Sequence, residues 1–317
     1  MKTGKVSENI IFRSIIKNKD KGAADNLSCA LFTGYVCDSN DARTGSHALI
    51  RAINRSYESG YKPVSAAVTI TIPENIREKR VREIMEGIYS TARENEITVN
   101  TGHSEVIPGI RDVAVSVVVT GQPFFDGSMS KEDANMSKRA FPGQAVVMTK
   151  WIGIYGSVWI AINRGNDVRS RYPDFLVKDA EDLERFLSVR KEAAIAYSHG
   201  DRCMYACSDG GIYAALWKLA DRSDAGINAE LKAIPVKQET VELCEFYDIN
   251  PYRLRSDGAL LIATDDPDGL MSRLAEEDIP SSVIGYMTDG RDRIVTNGDE
   301  KRFLEEPAQD ELCKILW

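Results

Sequence analysis

An α+β fold in two domains is what this chain predicts, on three observations. At 317 residues it exceeds the size at which a single hydrophobic core stops growing. Short β-branched runs of period two are interspersed with runs of helical period, in the order helix, strand, helix, strand, strand through the first half. The composition then swings from a polar stretch to core residues at Pro142-Gly143, which places a boundary between a domain at 1–140 and another at 141–317.

The first 21 residues are polar and basic, with Ile10-Ile11-Phe12 and Ile15-Ile16 as a candidate edge helix. Gly22 to Asn26 is a turn, and Cys29–Phe32 and Tyr35–Cys37 read as two short strands. The second strand ends in Asp38-Ser39-Asn40-Asp41. Two acids at a strand end suit a hard cation and its phosphate; a solvated polar turn is the plainer alternative. Gly45–Glu58 is helical, with Ala48, Leu49, Ala52 and Ile53 inward and Gly60 as its stop. Val64–Ile72 is a strand, and Pro73 opens a long helix with Ile84, Ile88 and Ala92 in its buried stripe. Ile97–Val99 is a strand running into Thr101-Gly102-His103-Ser104-Glu105, and Asp112–Thr120 is another. Gly127–Arg139 is a polar surface excursion.

Beyond the boundary, Ala145–Met148 is a strand and Trp151–Ala161 an apolar stretch with two glycines. Asp179–Tyr197 reads as one helix. Cys203–Leu219 holds a short apolar segment, a Ser208-Asp209-Gly210-Gly211 turn, and a helix with Ile212, Ala215, Leu216 and Leu219 at i, i+3, i+4, i+7. Ser208 and Asp209 are N-cap residue types, and a Gly-Gly turn at a helix N-terminus can cradle an anion or simply be a tight turn. Glu239–Tyr247 and Asp268–Glu276 are helices; Ala259–Ala263, Ser282–Met287 and Arg293–Thr296 are strands.

Composition excludes several functions. A net charge of -8 opposes nucleic-acid binding, which needs clustered Lys and Arg. No stretch approaches the ~20 apolar residues of a membrane span, and the start lacks a secretory apolar core. Six scattered cysteines read as reduced thiols, hence a cytoplasmic protein. Cys313, among bulky apolar neighbours, reads as a small buried hydrophobe.

Val147–Gly153, Asp209-Gly210-Gly211 with its helix, Ile234-Pro235-Val236, Glu239–Glu245, Ser256–Thr264, Val283-Ile284-Gly285 and Asp310-Glu311-Leu312 form an ordered set of strings. The set resembles the aminoimidazole ribonucleotide (AIR) synthase superfamily, in the branch of AIR-synthase-related proteins similar to the hydrogenase-maturation factor HypE. The resemblance implies a PurM-like two-domain fold whose N-terminal domains pair into a homodimer with a barrel-like core. It implies ATP and Mg²⁺ as cofactors, and activation or phosphorylation of a small amide- or carbamoyl-type substrate. It maps metal-binding acids onto Asp38, Glu105 and Asp209, and nucleotide contacts onto Asp25, Asn54, Arg55, His103, Ser208, Gly210 and Gly211. Departures are equally specific. Arg55 stands where the family has an Asp, and Tyr205 and Ala206 where it has His and Asp. Arg55 suits a bidentate phosphate contact or a solvent-facing helix position, and His103 a site role or a loop histidine. Two functions follow: an ATP-dependent enzyme, or a divergent non-catalytic homologue binding a nucleotide or anion as a regulatory or structural partner, including in a mixed dimer. The resemblance to HypE implies a terminal cysteine that carries the reacting group, and here the matching stretch reads Ile315-Leu316-Trp317.

Overall fold

The computed structural model describes residues 30–124, 138–307 and 309–316. Asp25, the Ile10–Ile16 segment and most of the polar stretch at 127–139 lie outside the described residues. Two mixed sheets organise the rest. The first runs β1-β4-β2-β3, with β1 Ala30–Val36, β2 Tyr61–Ile72, β3 Thr98–Val106 and β4 Ala114–Pro123. Its β4 pairs antiparallel with both β1 and β2, and β3 lies parallel to β2 on the far edge. The strands alternate as half-buried strands must. Val68, Ile70, Val115 and Val117 point into a core with Leu49 and Ile53 of α1 (Thr44–Glu58) and Ile84 and Ile88 of α2 (Glu78–Glu94). No helix of this pair covers the other face, where Leu31 and Tyr35 stand 63% and 54% exposed. Among the described residues neither sheet closes into a barrel.

Three elements differ from the sequence expectation, each for a packing reason. The two short strands before Cys37 are one strand passing through Gly34. A Cβ there would overlap the Ala48 carbonyl and come within 2.7 Å of the Ala52 nitrogen, so the glycine marks where α1 lies directly on β1. The strand expected over Ile97–Val99 continues through 101–105 as β3, because Thr69 pairs with His103 and Thr71 with Glu105. The single helix expected over Asp179–Tyr197 is broken into α4 (Asp174–Asp182), a 3₁₀ turn at Leu183–Phe186 and α5 (Arg190–His199). Side chains take the backbone groups that a continuous helix would use. Lys150 donates to the carbonyls of Phe186 and Ser188 at 2.8 and 2.7 Å, while Asn54 donates to the Leu187 carbonyl and accepts from the Val189 nitrogen.

The second sheet runs β11-β10-β7-β9-β5-β8-β6. Its strands are β5 Ala145–Thr149, β6 Cys203–Ala206, β7 Gly226–Glu230, β8 Leu260–Thr264, β9 Ser281–Thr288, β10 Arg293–Asn297 and β11 Glu300–Phe303. The inner strands are buried on both faces. Val147, Met204 and Ile262 join the core shared with α1, whereas Val146, Cys203 and Leu261 pack against α6 (Gly211–Ser223). A third cluster joins α3 (Ile154–Val168), α4 and α7 (Gln238–Tyr247), and α8 (Pro267–Glu276) returns to the first core. Strands β7 and β11 carry no apolar period long enough to be read from sequence. Neighbouring strands impose them.

Candidate functional site

Helix α1 is the shared wall between the two sheets. One of its faces is apolar; a second carries Arg51, Asn54, Arg55 and Glu58 at i, i+3, i+4, i+7, a polar stripe on a largely buried helix. That stripe borders a hollow of about 390 Å³ closed by Thr33 of β1, Tyr205 to Ser208 at the end of β6, Lys218 of α6 and Asp257. The volume is within the range of small-molecule sites.

Behind the hollow lies a buried charge cluster drawn from five separate segments. Asp38, just past β1, accepts from Arg255 at 2.7 Å and from the Tyr155 hydroxyl at 3.0 Å. Its backbone carbonyl accepts from the Trp159 indole. Arg255 also reaches Asp257 at 2.9 Å and Asp209 at 3.6 Å. Arg51 binds Asp209 at 2.7 Å, Asp257 at 3.0 Å and the Tyr35 carbonyl at 2.7 Å. The Arg255 guanidinium stacks 3.5 Å above the Tyr155 ring. Burial by itself disfavours both guanidinium charges, yet the surrounding carboxylates outweigh it and hold Arg51 and Arg255 above the ordinary arginine range.

Of the ten residues proposed from sequence, the nine that are described are distributed unevenly around this centre. Asp38 and Asp209 do meet, on Arg255, although 171 positions separate them in the chain. Glu105 does not join them. Val36 is level with Ser104 through Val115 and Ile70, so Asp38 and Glu105 share one end of the sheet but sit on opposite edges, roughly 14 Å apart by strand spacing. Glu105 is 62% exposed and its partner is His103 at 3.7 Å. Among the described residues no three His, Cys, Asp or Glu side chains could hold a metal ion. Mg²⁺ therefore does not fit the acids assigned to it: Asp38 and Asp209 already hold Arg255 and Arg51 at 2.7 Å, and a cation there would have to displace a guanidinium that it repels.

Of the nucleotide contacts, Arg55 and Ser208 line the hollow, and Arg55 keeps a single bond at 3.2 Å, to the Thr33 carbonyl. Asn54 reaches the same wall but spends its amide on Leu187 and Val189. Gly210 and Gly211 both have positive φ, +80° and +64°. A Cβ on Gly211 would stand 2.5 Å from the Tyr252 carbonyl oxygen, so what lies close above the turn is the chain's own 252–254 segment. Neither Ser208 nor Asp209 caps α6. Asp310 does so from the far end of the chain, accepting from the Gly210 nitrogen at 2.6 Å and also from the nitrogens of Leu312 and Arg255.

Four functional candidates escaped the sequence reading: Arg51, Glu58, Asp257 and Asp310. The signal for the first two was present, as polar residues at helical spacing around the apolar stripe of α1. Glu58 places its carboxylate on the backbone nitrogen of Ala206, so an acid does arrive beside the position where the resemblance implied one. Burial raises the Glu58 pKa despite that bond and the nearby Arg222, Arg55 and Lys218. Cys313 is half-buried rather than enclosed.

Burial, followed by the neighbouring Asp209, pushes Asp310 up from 3.8 to about 7. A carboxyl raised in the folded state makes the fold bind a proton more readily than the unfolded chain. Its stabilising contribution is thus complete below pH 3.8 and is lost as pH rises to about 7, with a slope of at most ~1.4 kcal/mol per pH unit. Asp310→Asn is expected to flatten the pH dependence of the urea midpoint across that window. An unchanged profile would show that Asp310 does not titrate there.

Comparison with known proteins fits this architecture. The model of the AIR synthase related protein N-terminal domain matches residues 21–122, and that of the C-terminal domain matches 142–297. A putative hydrogenase expression/formation protein from Methanocaldococcus jannaschii is 23% identical over 86% of this chain and 78% of its own length. The carbamoyl dehydratase HypE of Rhizobium leguminosarum bv. viciae is 27% identical over 73% of this chain. That alignment spans 63% of the HypE protein's length. Among solved structures, HypE in complex with ATP superposes with a TM-score of 0.68 at 16% identity, covering 98% of this chain and 97% of that one. Thiamine monophosphate kinase of Aquifex aeolicus superposes at 0.63 and 17% identity, covering 85% and 88%. At such identities the structures speak for the fold alone: a PurM-like pair of mixed α/β domains. No helix among the described residues is long and apolar enough to cross a membrane.

Proposed function

Since the chain belongs to the AIR synthase related family, we propose that it is a HypE-like ATP-binding protein whose phosphate site is the hollow against α1. The observation that carries this is convergence: Arg55 from α1, Lys218 from α6 and Ser208 from the turn before α6 face one polar space of about 390 Å³. Fixed cations and hydroxyl donors are what a polyphosphate requires. The solved HypE–ATP complex, and a thiamine monophosphate kinase complexed with AMPPCP and TMP, support a nucleotide as the ligand. ATP would supply a transferable phosphoryl group; Arg55 and Lys218 would bind and orient its charge, and Ser208 would offer a hydroxyl donor. The reaction that best suits such a relative is activation of a small amide or carbamoyl group. The second function, a non-catalytic nucleotide- or anion-binding homologue, is favoured by the neutralisation of Asp38 and Asp209 by arginine.

Calorimetry separates these readings. Arg55→Ala is expected to weaken ATP binding about tenfold or more, the worth of a charge-assisted hydrogen bond. ATP hydrolysis or transfer would establish the enzyme; binding without turnover, the second function. A chain that binds no adenine nucleotide is not the enzyme and keeps only a structural role, including in a mixed dimer.

The open face of the first sheet supports the homodimer, its two copies stacking face to face, and the two sheets, which share no strand and are separated in sequence near residue 140, support a division there. Leu31 and Tyr35 are exposed there and Val118 is half-buried at its centre; a large uncovered sheet face marks an interface. Val118→Arg is expected to halve the mass measured by light scattering. A wild-type mass of 35.2 kDa would remove the dimer. The HypE–HypF complex among the superposed structures makes a further protein partner reasonable.

A further inference from the structure

The misfit between Mg²⁺ and its assigned acids has a positive content. We propose that Arg51 and Arg255 form a resident cation pair that takes the place of a divalent metal, so that this centre recognises an anionic oxygen without metal. Asp38, Asp209 and Asp257 direct oxygens at these two guanidiniums, with contacts between 2.7 and 3.6 Å. The carboxylates of Asp38 and Asp257 and both arginine side chains are less than a tenth exposed. A metal would have to displace Arg255, which is stacked on the Tyr155 ring, or Arg51, which donates to the Tyr35 carbonyl.

Three carboxylates face two guanidiniums here, yet the hydrogen-bonding atom left unmet is a donor. Arg255 Nη2 is buried and has no acceptor. A metal site is short of a cation and offers spare oxygen lone pairs. Here the spare group is a donor, and what satisfies a donor is an oxygen of a phosphate, a carboxylate or water. Arg51 borders the ligand hollow directly, together with Asp257, so the pair connects the carboxylate cluster to the space where a phosphate would sit. This deepens the reading of the hollow as a phosphate site, and it is tested separately from it.

Manganese is the probe. Titrating the full chain into Mn²⁺ and following the paramagnetic resonance signal of the free ion should leave that signal undiminished. Arg255→Met strips Asp38 of its guanidinium partner and leaves Asp209 and Asp257 sharing Arg51, and this variant is expected to take up Mn²⁺ and quench the signal. If it does not fold, Arg51→Met is read in the same way; if neither folds, the wild-type titration decides. Stoichiometric uptake by the wild type overturns the proposal. So does a folded Arg255→Met chain, verified by circular dichroism and gel filtration, that ignores Mn²⁺. In calorimetry, ATP affinity should agree within about threefold between Mg²⁺ and EDTA buffers, and loss of binding in EDTA also overturns it. Absence of ATP binding in either buffer refutes the nucleotide reading and leaves the Mn²⁺ result to judge the arginine pair.

Discussion

Arg255→Ala is expected to destabilise the fold by roughly 3–5 kcal/mol, the usual cost of removing one partner from a buried ion pair. The substitution strips Asp38 of its 2.7 Å partner and Asp257 of one of its two. It also removes the cation packed over Tyr155. Arg255→Lys keeps the charge but cannot reach Asp38 and Asp257 at once, because an ammonium has no planar fork; it should recover only part of the loss. Urea denaturation followed by circular dichroism measures both. A loss below about 1 kcal/mol for the alanine variant, the size of an exposed ion pair, would show that these carboxylates are solvated and that the cluster is not a buried unit.

Glu192→Ala is expected to cost a comparable ~3–5 kcal/mol, at a distance from the hollow. Lys150 and Glu192 meet at 2.5 Å with 4% of each side chain exposed. Burial lowers the Lys150 pKa and Glu192 opposes the shift. Without that carboxylate the ammonium keeps only the Phe186 and Ser188 carbonyls, and it can escape the cost by losing its proton. Stability of the variant should therefore recover as pH rises, since a lowered lysine pKa means that the folded state sheds its proton first. Adding Lys150→Met to Glu192→Ala should restore much of the loss, because an apolar pair leaves no stranded charge. If the double variant were as unstable as the single, the pair would matter for its shape rather than its charge.

Much of the architecture was legible from sequence because it is written in local periodicity. The apolar stripes of α1 and α2, the alternation in β2 and β4, and the Gly-Gly turn before α6 each follow from residues within one or two turns of one another. The ordered strings that resemble the AIR synthase superfamily were also local, and both family models match. Where the sequence misled, a distant group had taken over a local role. Gly34 read as the gap between two strands until α1 was seen to lie on it. Leu183 to Val189 read as helix until Lys150 and Asn54 claimed its carbonyls. The cap of α6 belongs to Asp310, about a hundred positions beyond the turn that it closes.

By itself the sequence determined the family, the two-domain class and the identity of the ionisable residues, all properties of composition and short-range order. Only the tertiary structure decided which charge faces which. Coulomb interaction depends on separation in space and on burial, not on separation along the chain, so Asp38 and Asp209, readable as metal ligands one at a time, became the counter-ions of Arg255 and Arg51 once α1 brought the two sheets together.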